Sequence, residues 1–188
     1  MSHAGADWLD RPEREREERP DLAIEALALK AGAVVADFGA GSGYFTVRLA
    51  RQVGPAGRVF AADIQPEMLS LLRARLARER LANVELVQSA NTDPRLPARQ
   101  FDLILMVDVY HELAEPQLIV GKLLASLKPT GRLVLLEYRK EDPTIPIRPE
   151  HKMSVAEARL ELEAAGFQLD RAIEVLPRQH ILVFRPAR

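Results

Sequence analysis

The sequence predicts an α/β fold, doubly wound around a mostly parallel sheet of seven strands, with a C-terminal antiparallel hairpin. Three observations carry this. Short, nearly unbroken apolar runs such as Phe101–Val107 ("FDLILMV") and Arg132–Tyr138 ("RLVLLEY") match strands buried on both faces. Segments of helical period alternate with them, as in a sheet covered by helices. The first strand also runs into a glycine-rich turn, "ADFGAGSGYF" at Ala36–Phe45, the place where such sheets present ligands to a helix N-terminus.

The elements follow in order. Residues 1–7 are expected to be disordered. Asp10-Arg-Pro-Glu13 reads as a helix start, with a carboxylate cap, a proline in the first turn and Glu three residues after the cap. "EREREERPDLAIEALAL" is two helical pieces divided at Pro20, the second stopping near Gly32. Residues 1–30 are therefore expected to be lid or packing helices, and residues 31–188 the ligand-binding domain. Ala33–Phe38, Arg58–Asp63, Val84–Gln88 and Phe101–Val107 are the first four strands. Tyr44–Val53 and Gln65–Arg80 are the helices among them, the latter with Pro66 in its first turn.

Glu115–Leu127 is a further helix, "KPTG" a turn, and Arg132–Tyr138 the fifth strand. The proline-rich "RKEDPTIPIRPEHKM" breaks the rhythm as a long loop. Ser154-Val-Ala-Glu157 is a capping box that opens a helix to Ala165, closed by Gly166. Phe167–Leu176 and Ile181–Phe184 form the closing hairpin.

Bulk properties narrow the function classes. A chain of 188 residues can bury one α/β core. The net charge of −1 gives no reason to expect a nucleic acid or an anionic membrane as partner. Arg73–Arg80 ("RARLARER") reads as the solvated face of an amphipathic helix. Cysteine is absent, which excludes disulfides and thiolate metal sites and fits a cytoplasmic location. The charge-dense start has no apolar core segment, so no signal peptide is expected. No apolar run approaches the ~20 residues of a membrane span.

The glycine turn sorts its ligands by spacing. A triphosphate loop needs Gly-Lys-Ser/Thr, and no lysine follows these glycines. A dinucleotide loop wants G-x-G-x-x-G, but the glycines here alternate and Tyr44 stands at the last position. A nicotinamide-dependent oxidoreductase is thus the weaker reading. Asp37 leads the loop and would repel a pyrophosphate, whereas it suits an ammonium or a sulfonium. Asp63 follows Gly41 by 22 residues, close to the ~20-residue offset at which an acid takes ribose hydroxyls. The ligand expected is a ribonucleoside with a cationic tail.

With these residues in hand, the chain resembles the class I S-adenosylmethionine-dependent methyltransferases. Asp37, Gly39, Gly41 and Gly43 match their D/E-x-G-x-G-x-G loop. Asp63, "FDLILMVDVYHEL", "LKPTGRLVLLEYR", "EAAGF" and the closing hairpin continue the match in order over about residues 30–185. It is especially similar to small bacterial methyltransferases related to the quinone C-methyltransferases.

That resemblance implies a Rossmann-like methyltransferase fold, S-adenosyl-L-methionine as cofactor and S-adenosyl-L-homocysteine as product. It implies that Gly39, Ala40, Gly41 and Gly43 pass under the methionine part. Asp37 would fix the loop or reach the amino group through water. Asp63 would take the ribose hydroxyls, and Ile64 would lie against the adenine. The family's acid after the third strand is replaced by Ser89-Ala90; Asn91, Asp93 or a backbone carbonyl would take its place.

The resemblance also implies that "DVYHEL" after the fourth strand faces both cofactor and acceptor, with Asp108 touching the cofactor as well as the acceptor side, and Tyr110 and His111 as catalytic candidates together with His151 on the proline-rich loop. Histidine has the pKa of a base near neutrality. Asp108 and His111 can equally cap and pack the following helix. His180 reads as an edge-strand residue, and His3 receives no role. No histidine–carboxylate spacing of the H-E-x-x-H type is present, so no metal is expected. The acceptor expected is a small or lipid-like molecule, methylated on carbon or oxygen, with no nucleic-acid partner and no integral membrane segment. A non-catalytic cofactor-binding relative is the remaining alternative.

Overall fold

The computed structural model describes residues 6–187, so His3 and most of the expected disordered tail lie outside the described residues. Three short helices come first: α1 (Ala6–Leu9), α2 (Arg14–Glu18) and α3 (Pro20–Ala26). Then follow β1 (Val34–Phe38), α4 (Tyr44–Val53), β2 (Arg58–Asp63), α5 (Pro66–Glu79), β3 (Val84–Gln88) and β4 (Phe101–Val107). A 3₁₀ turn at Tyr110–Glu112 precedes α6 (Pro116–Ser126) and β5 (Leu127–Arg139). A second at Pro149–His151 leads to β6 (Lys152–Met153), α7 (Val155–Ala164), β7 (Phe167–Ile173) and β8 (Gln179–Pro186).

Seven strands run across the sheet in the order β3-β2-β1-β4-β5-β8-β7, and the two-residue β6 pairs with the end of β5. Strands β1 to β5 pair in parallel, while β8 is antiparallel to both β5 and β7. The expected sheet and hairpin are therefore present, with β6 as an addition. Period-two alternation sends side chains to both faces. From β4, Ile104 and Met106 join a core with Phe101, Phe60 and Phe184, while Leu103 and Leu105 join one with Phe45 and Leu49. Phe60 and Phe101 meet edge to face, 5.1 Å between ring centroids, and cutting Phe101 to alanine is expected to cost about 3–5 kcal/mol.

Several local expectations change. Asp10 does not cap a helix; α2 begins at Arg14 without a side-chain cap, and Asp10 pairs instead with Arg75 at 2.7 Å. The break before Pro20 is made by Arg19, held left-handed at φ 51°, and α3 stops at Ala26, well short of Gly32. "KPTG" is no turn between elements. Leu127 pairs with Phe101 and Arg132 with Leu103, so the residues between bulge from a continuous β5, with Lys128 bound to Asp102 at 2.7 Å. The Ser154–Glu157 capping box forms as expected, each partner satisfying the other's backbone N–H.

The topology places the site. The chain winds outward through β1, β2 and β3, then returns to lay β4 on the other side of β1. A crevice opens beyond the C-terminal ends of β1 and β4, where the helices before and after leave in opposite directions.

Candidate active site

A cavity of about 480 Å³ opens at this switch point, within the range of small-ligand sites. One end is built from backbone. The turn after β1 brings Gly39 and Gly41 to its wall at φ 79° and 54°, the left-handed region that suits glycine. A Cβ on Gly39 would lie 2.3 Å from a Val109 methyl, so the loop packs without space for a side chain there. Asp63, at the end of β2, accepts the Gly41 N–H through Oδ2 at 2.8 Å and the Gln65 N–H through Oδ1 at 2.9 Å. It thereby joins the glycine loop to the start of α5, while its carboxylate still lines the cavity. Ile64 stands beside it with 44% of its surface exposed, an apolar wall next to an acceptor of hydroxyl hydrogen bonds.

Beneath the loop lies a smaller hollow of about 40 Å³, lined by Asp37, Ala40, Ser42 and Arg14 among others. Asp37 is buried, and its Oδ2 accepts from the Thr46 hydroxyl at 2.5 Å. Burial raises its pKa to about 6; the Thr46 hydrogen bond opposes this, Asp63 adds to it, and Arg14 also opposes it. A cation arriving at the loop would stabilise the charged form.

The other end is built from side chains. Asp108, directly after β4, stands at φ 53°, and both its oxygens accept from Gln179 Nε2 at 2.9 Å. Burial lifts its pKa well above the ordinary carboxylate value, with Glu137 and Glu18 adding repulsion. His111 Nδ1 lies 2.7 Å from Glu137 Oε2, and its Nε2 lies 3.1 Å from His151 Nδ1. Burial pulls the His111 pKa down, but the hydrogen bond and charge of Glu137, with Asp108 and Glu112, more than offset it. Glu137 is fully buried in β5 and also accepts the Tyr110 N–H at 3.0 Å.

The N-terminal helices form the roof. Glu18, buried, accepts from Arg14 Nε at 2.6 Å, Arg11 at 2.9 Å and the Tyr138 hydroxyl at 2.9 Å. Trp8, Leu9, Arg11, Arg14 and Glu18 all line the cavity.

The residues read from sequence thus divide. Gly39, Gly41, Asp63, Ile64, Asn91, Asp108, His111 and His151 share the main cavity. Asp37 and Ala40 reach only the lower hollow. Gly43 reaches neither; at φ 88° it starts α4, and a Cβ there would meet Leu72 at 2.1 Å. Tyr110 is corrected most. It turns into the core, and its hydroxyl donates to Glu161 on α7 at 2.8 Å, because the 3₁₀ turn aims alternate faces of the segment oppositely. Asp93 is held by the Arg95 N–H at 3.0 Å and does not line the cavity. His180 is buried rather than at an edge, bonded to the Met153 carbonyl at 2.8 Å. Glu137, Glu18, Arg14 and Gln179 were missed. Only a charged residue inside an apolar strand, "LVLLEYR", marked Glu137.

A methyltransferase domain model matches residues 29–172. The chain belongs to the S-adenosylmethionine-dependent methyltransferases. A crystal structure of a SAM dependent methyltransferase from Aquifex aeolicus is 30% identical, covers 98% of both chains and superposes with a TM-score of 0.91. The ubiquinone/menaquinone biosynthesis C-methyltransferase of Pseudomonas putida is 33% identical over 118 residues, 62% of this chain and 46% of its own. The chain thus spans about half the length of the curated relatives it matches. A putative type 11 methyltransferase from Sulfolobus solfataricus, 20% identical with a TM-score of 0.75 over 92% of this chain and 94% of its own, shares the fold.

The geometry of this methyltransferase fits its cofactor, S-adenosylmethionine. Bare backbone at Gly39 and Gly41 allows close approach, Asp63 presents a carboxylate for hydroxyls, and Asp37 supplies negative charge beneath the loop.

Proposed function

We propose that this protein transfers a methyl group from S-adenosylmethionine to a small or lipid-like acceptor with a quinol-, phenol- or enol-type ring, on carbon or oxygen. One observation carries the reading: the glycine–Asp63 end and the His111–His151 end share one cavity lined by Trp8, Phe38, Val109, Leu113 and Ile119. An apolar wall with a few convergent polar groups fits a ring better than a polynucleotide. Similarity to a quinone C-methyltransferase supports carbon as the target.

When bound, the cofactor supplies an activated methyl on a sulfonium. The protein's part is placement, worth several kcal/mol of barrier, and management of the acceptor's proton. Glu137 takes the Nδ1–H of His111, which assigns the lone pair to Nε2, on the cavity side. There His111 Nε2 accepts a proton from the acceptor once His151 gives way. Asn91 lines the cavity near Ala90 and is the side chain we assign to the adenine edge.

The test is turnover of radiolabelled S-adenosylmethionine with quinols, simple phenols and RNA as acceptors. Label is expected on a quinol or phenol. S-adenosylhomocysteine binding without turnover on any small acceptor would instead make this a non-catalytic relative, and thermal stabilisation by NAD alone would sink the cofactor assignment.

A further inference from the structure

We infer that His111, His151 and Glu112 form a site for a divalent transition metal of the zinc class, at the acceptor end of the cavity. One ligand atom from each of the three lies within 4.8 Å of the others. The two ring nitrogens are 3.1 Å apart. Tetrahedral zinc with bonds of about 2.0 Å sets its ligands roughly 3.3 Å from one another. The histidine pair already has that spacing, and a Glu112 carboxylate oxygen lies within 4.8 Å of both.

A second observation points the same way. A metal-bound histidine commonly donates its other N–H to a carboxylate, which fixes the tautomer and raises the donor strength of the bound nitrogen. Glu137 does this to His111 from a fully buried position at 2.7 Å. Two imidazoles and a carboxylate favour zinc, cobalt or nickel over calcium and magnesium, which prefer oxygen ligands throughout. With Nδ1–H committed to Glu137, His111 Nε2 accepts the proton on His151 Nδ1. The ion takes the place of that shared proton, and His151 moves its proton to Nε2.

All three residues line the cavity, so the remaining coordination positions face the acceptor. A phenolate or enolate oxygen there would complete the shell, and the ion would lower the pKa of that O–H. Ion and proton are alternative occupants of one lone pair, so the metal site itself does not rest on the methyl-transfer reading, whereas the acceptor oxygen in its shell does. Sequence spacing gave no hint of the site: His111 and Glu112 are adjacent, and His151 joins from 40 residues downstream.

The test is calorimetric titration of the tag-free, EDTA-dialysed 188-residue protein with Zn²⁺ in a non-coordinating buffer, with Co²⁺ absorption as a second readout. One equivalent is expected to bind, with cobalt bands of four- or five-coordinate geometry. His151→Ala and Glu112→Ala should each weaken binding at least about tenfold, and Glu137→Gln by about tenfold although it touches no ion. Thermal melts check that each variant folds; His151→Ala, on a surface loop, decides the matter if Glu137→Gln does not. No saturable Zn²⁺ binding, or binding that His151→Ala leaves unchanged, overturns the site. Methyl transfer by the EDTA-treated protein is read separately, so failure here leaves the proposed function standing.

Discussion

The two ends of the cavity are made differently. The end proposed for the cofactor is built on one turn of backbone that brings Phe38, Gly39 and Gly41 to the wall, fastened by one carboxylate from the neighbouring strand. The end proposed for the acceptor joins side chains from the segment after β4, β5, β8, the proline-rich loop and the N-terminal helices, through Asp108–Gln179, His111–Glu137, His111–His151 and Glu18–Tyr138. Backbone geometry tolerates few substitutions and serves one ligand. Side-chain pairs can be exchanged one at a time, which lets one frame take different acceptors.

The sharpest way to test this division is His111→Ala. Turnover is expected to fall about 10²–10⁴-fold, as for loss of a general base, while S-adenosylhomocysteine affinity by calorimetry stays unchanged. A parallel loss of cofactor affinity would show that the two ends are not separable.

Glu18→Ala comes next. It leaves Arg11, Arg14 and the Tyr138 hydroxyl without their shared acceptor, at an expected cost of about 3 kcal/mol measured by urea unfolding. A change within 0.5 kcal/mol, on the order of an exposed substitution, would mean that the roof is not a structural part of the acceptor end.

Within the cofactor end, Gly39→Ala and Gly43→Ala separate ligand contact from packing. Both impose a left-handed backbone on a side chain, costing about 1–2 kcal/mol. Gly39→Ala is expected to weaken S-adenosylhomocysteine binding more than about tenfold, whereas Gly43→Ala should leave affinity near wild type. Equal effects on affinity would return Gly43 to the ligand site.

The smallest expected effect is a pH dependence from Asp37. Its folded pKa, about 6, lies above the ordinary 3.8. Folding is therefore helped by its proton below pH 3.8, and that help disappears as pH rises through 6. Asp37→Asn should gain melting temperature relative to wild type between pH 4 and pH 7, bracketing that range. The cationic cofactor, which favours the ionised form, should bind wild type more tightly above pH 6 than below it. A flat difference in melting temperature across that range would show that Thr46 and Arg14 hold Asp37 ionised throughout.

Legibility in the sequence follows the same division. β2, β3, β4 and α4 have their expected bounds, because apolar runs and proline or glycine punctuation are local signals. The first N-terminal helix start was misplaced because the segment is held by long-range ion pairs such as Glu17–Arg178 and Asp10–Arg75 rather than by a cap. "KPTG" misled because a bulge against β4 and a turn have the same composition. Tyr110 and His111 are neighbours in one motif, yet one faces Glu161 and the core while the other faces Glu137 and the cavity. The phase of a short 3₁₀ turn is set by its surroundings.

The sequence by itself determined the sheet, the glycine turn and the placing of two carboxylates, Asp37 and Asp63, beside that turn. Those features depend on backbone conformation and on offsets within one strand–helix–strand unit, and such short-range geometry is encoded by neighbouring residues. Only the tertiary structure decided which charged side chains meet. Glu137 reaches His111 because β4 and β5 pair in register, and His151 arrives because the proline-rich loop folds back along β5 through β6. A side-chain contact between distant segments has no local signature, since its energy exists only once the chain has closed around it.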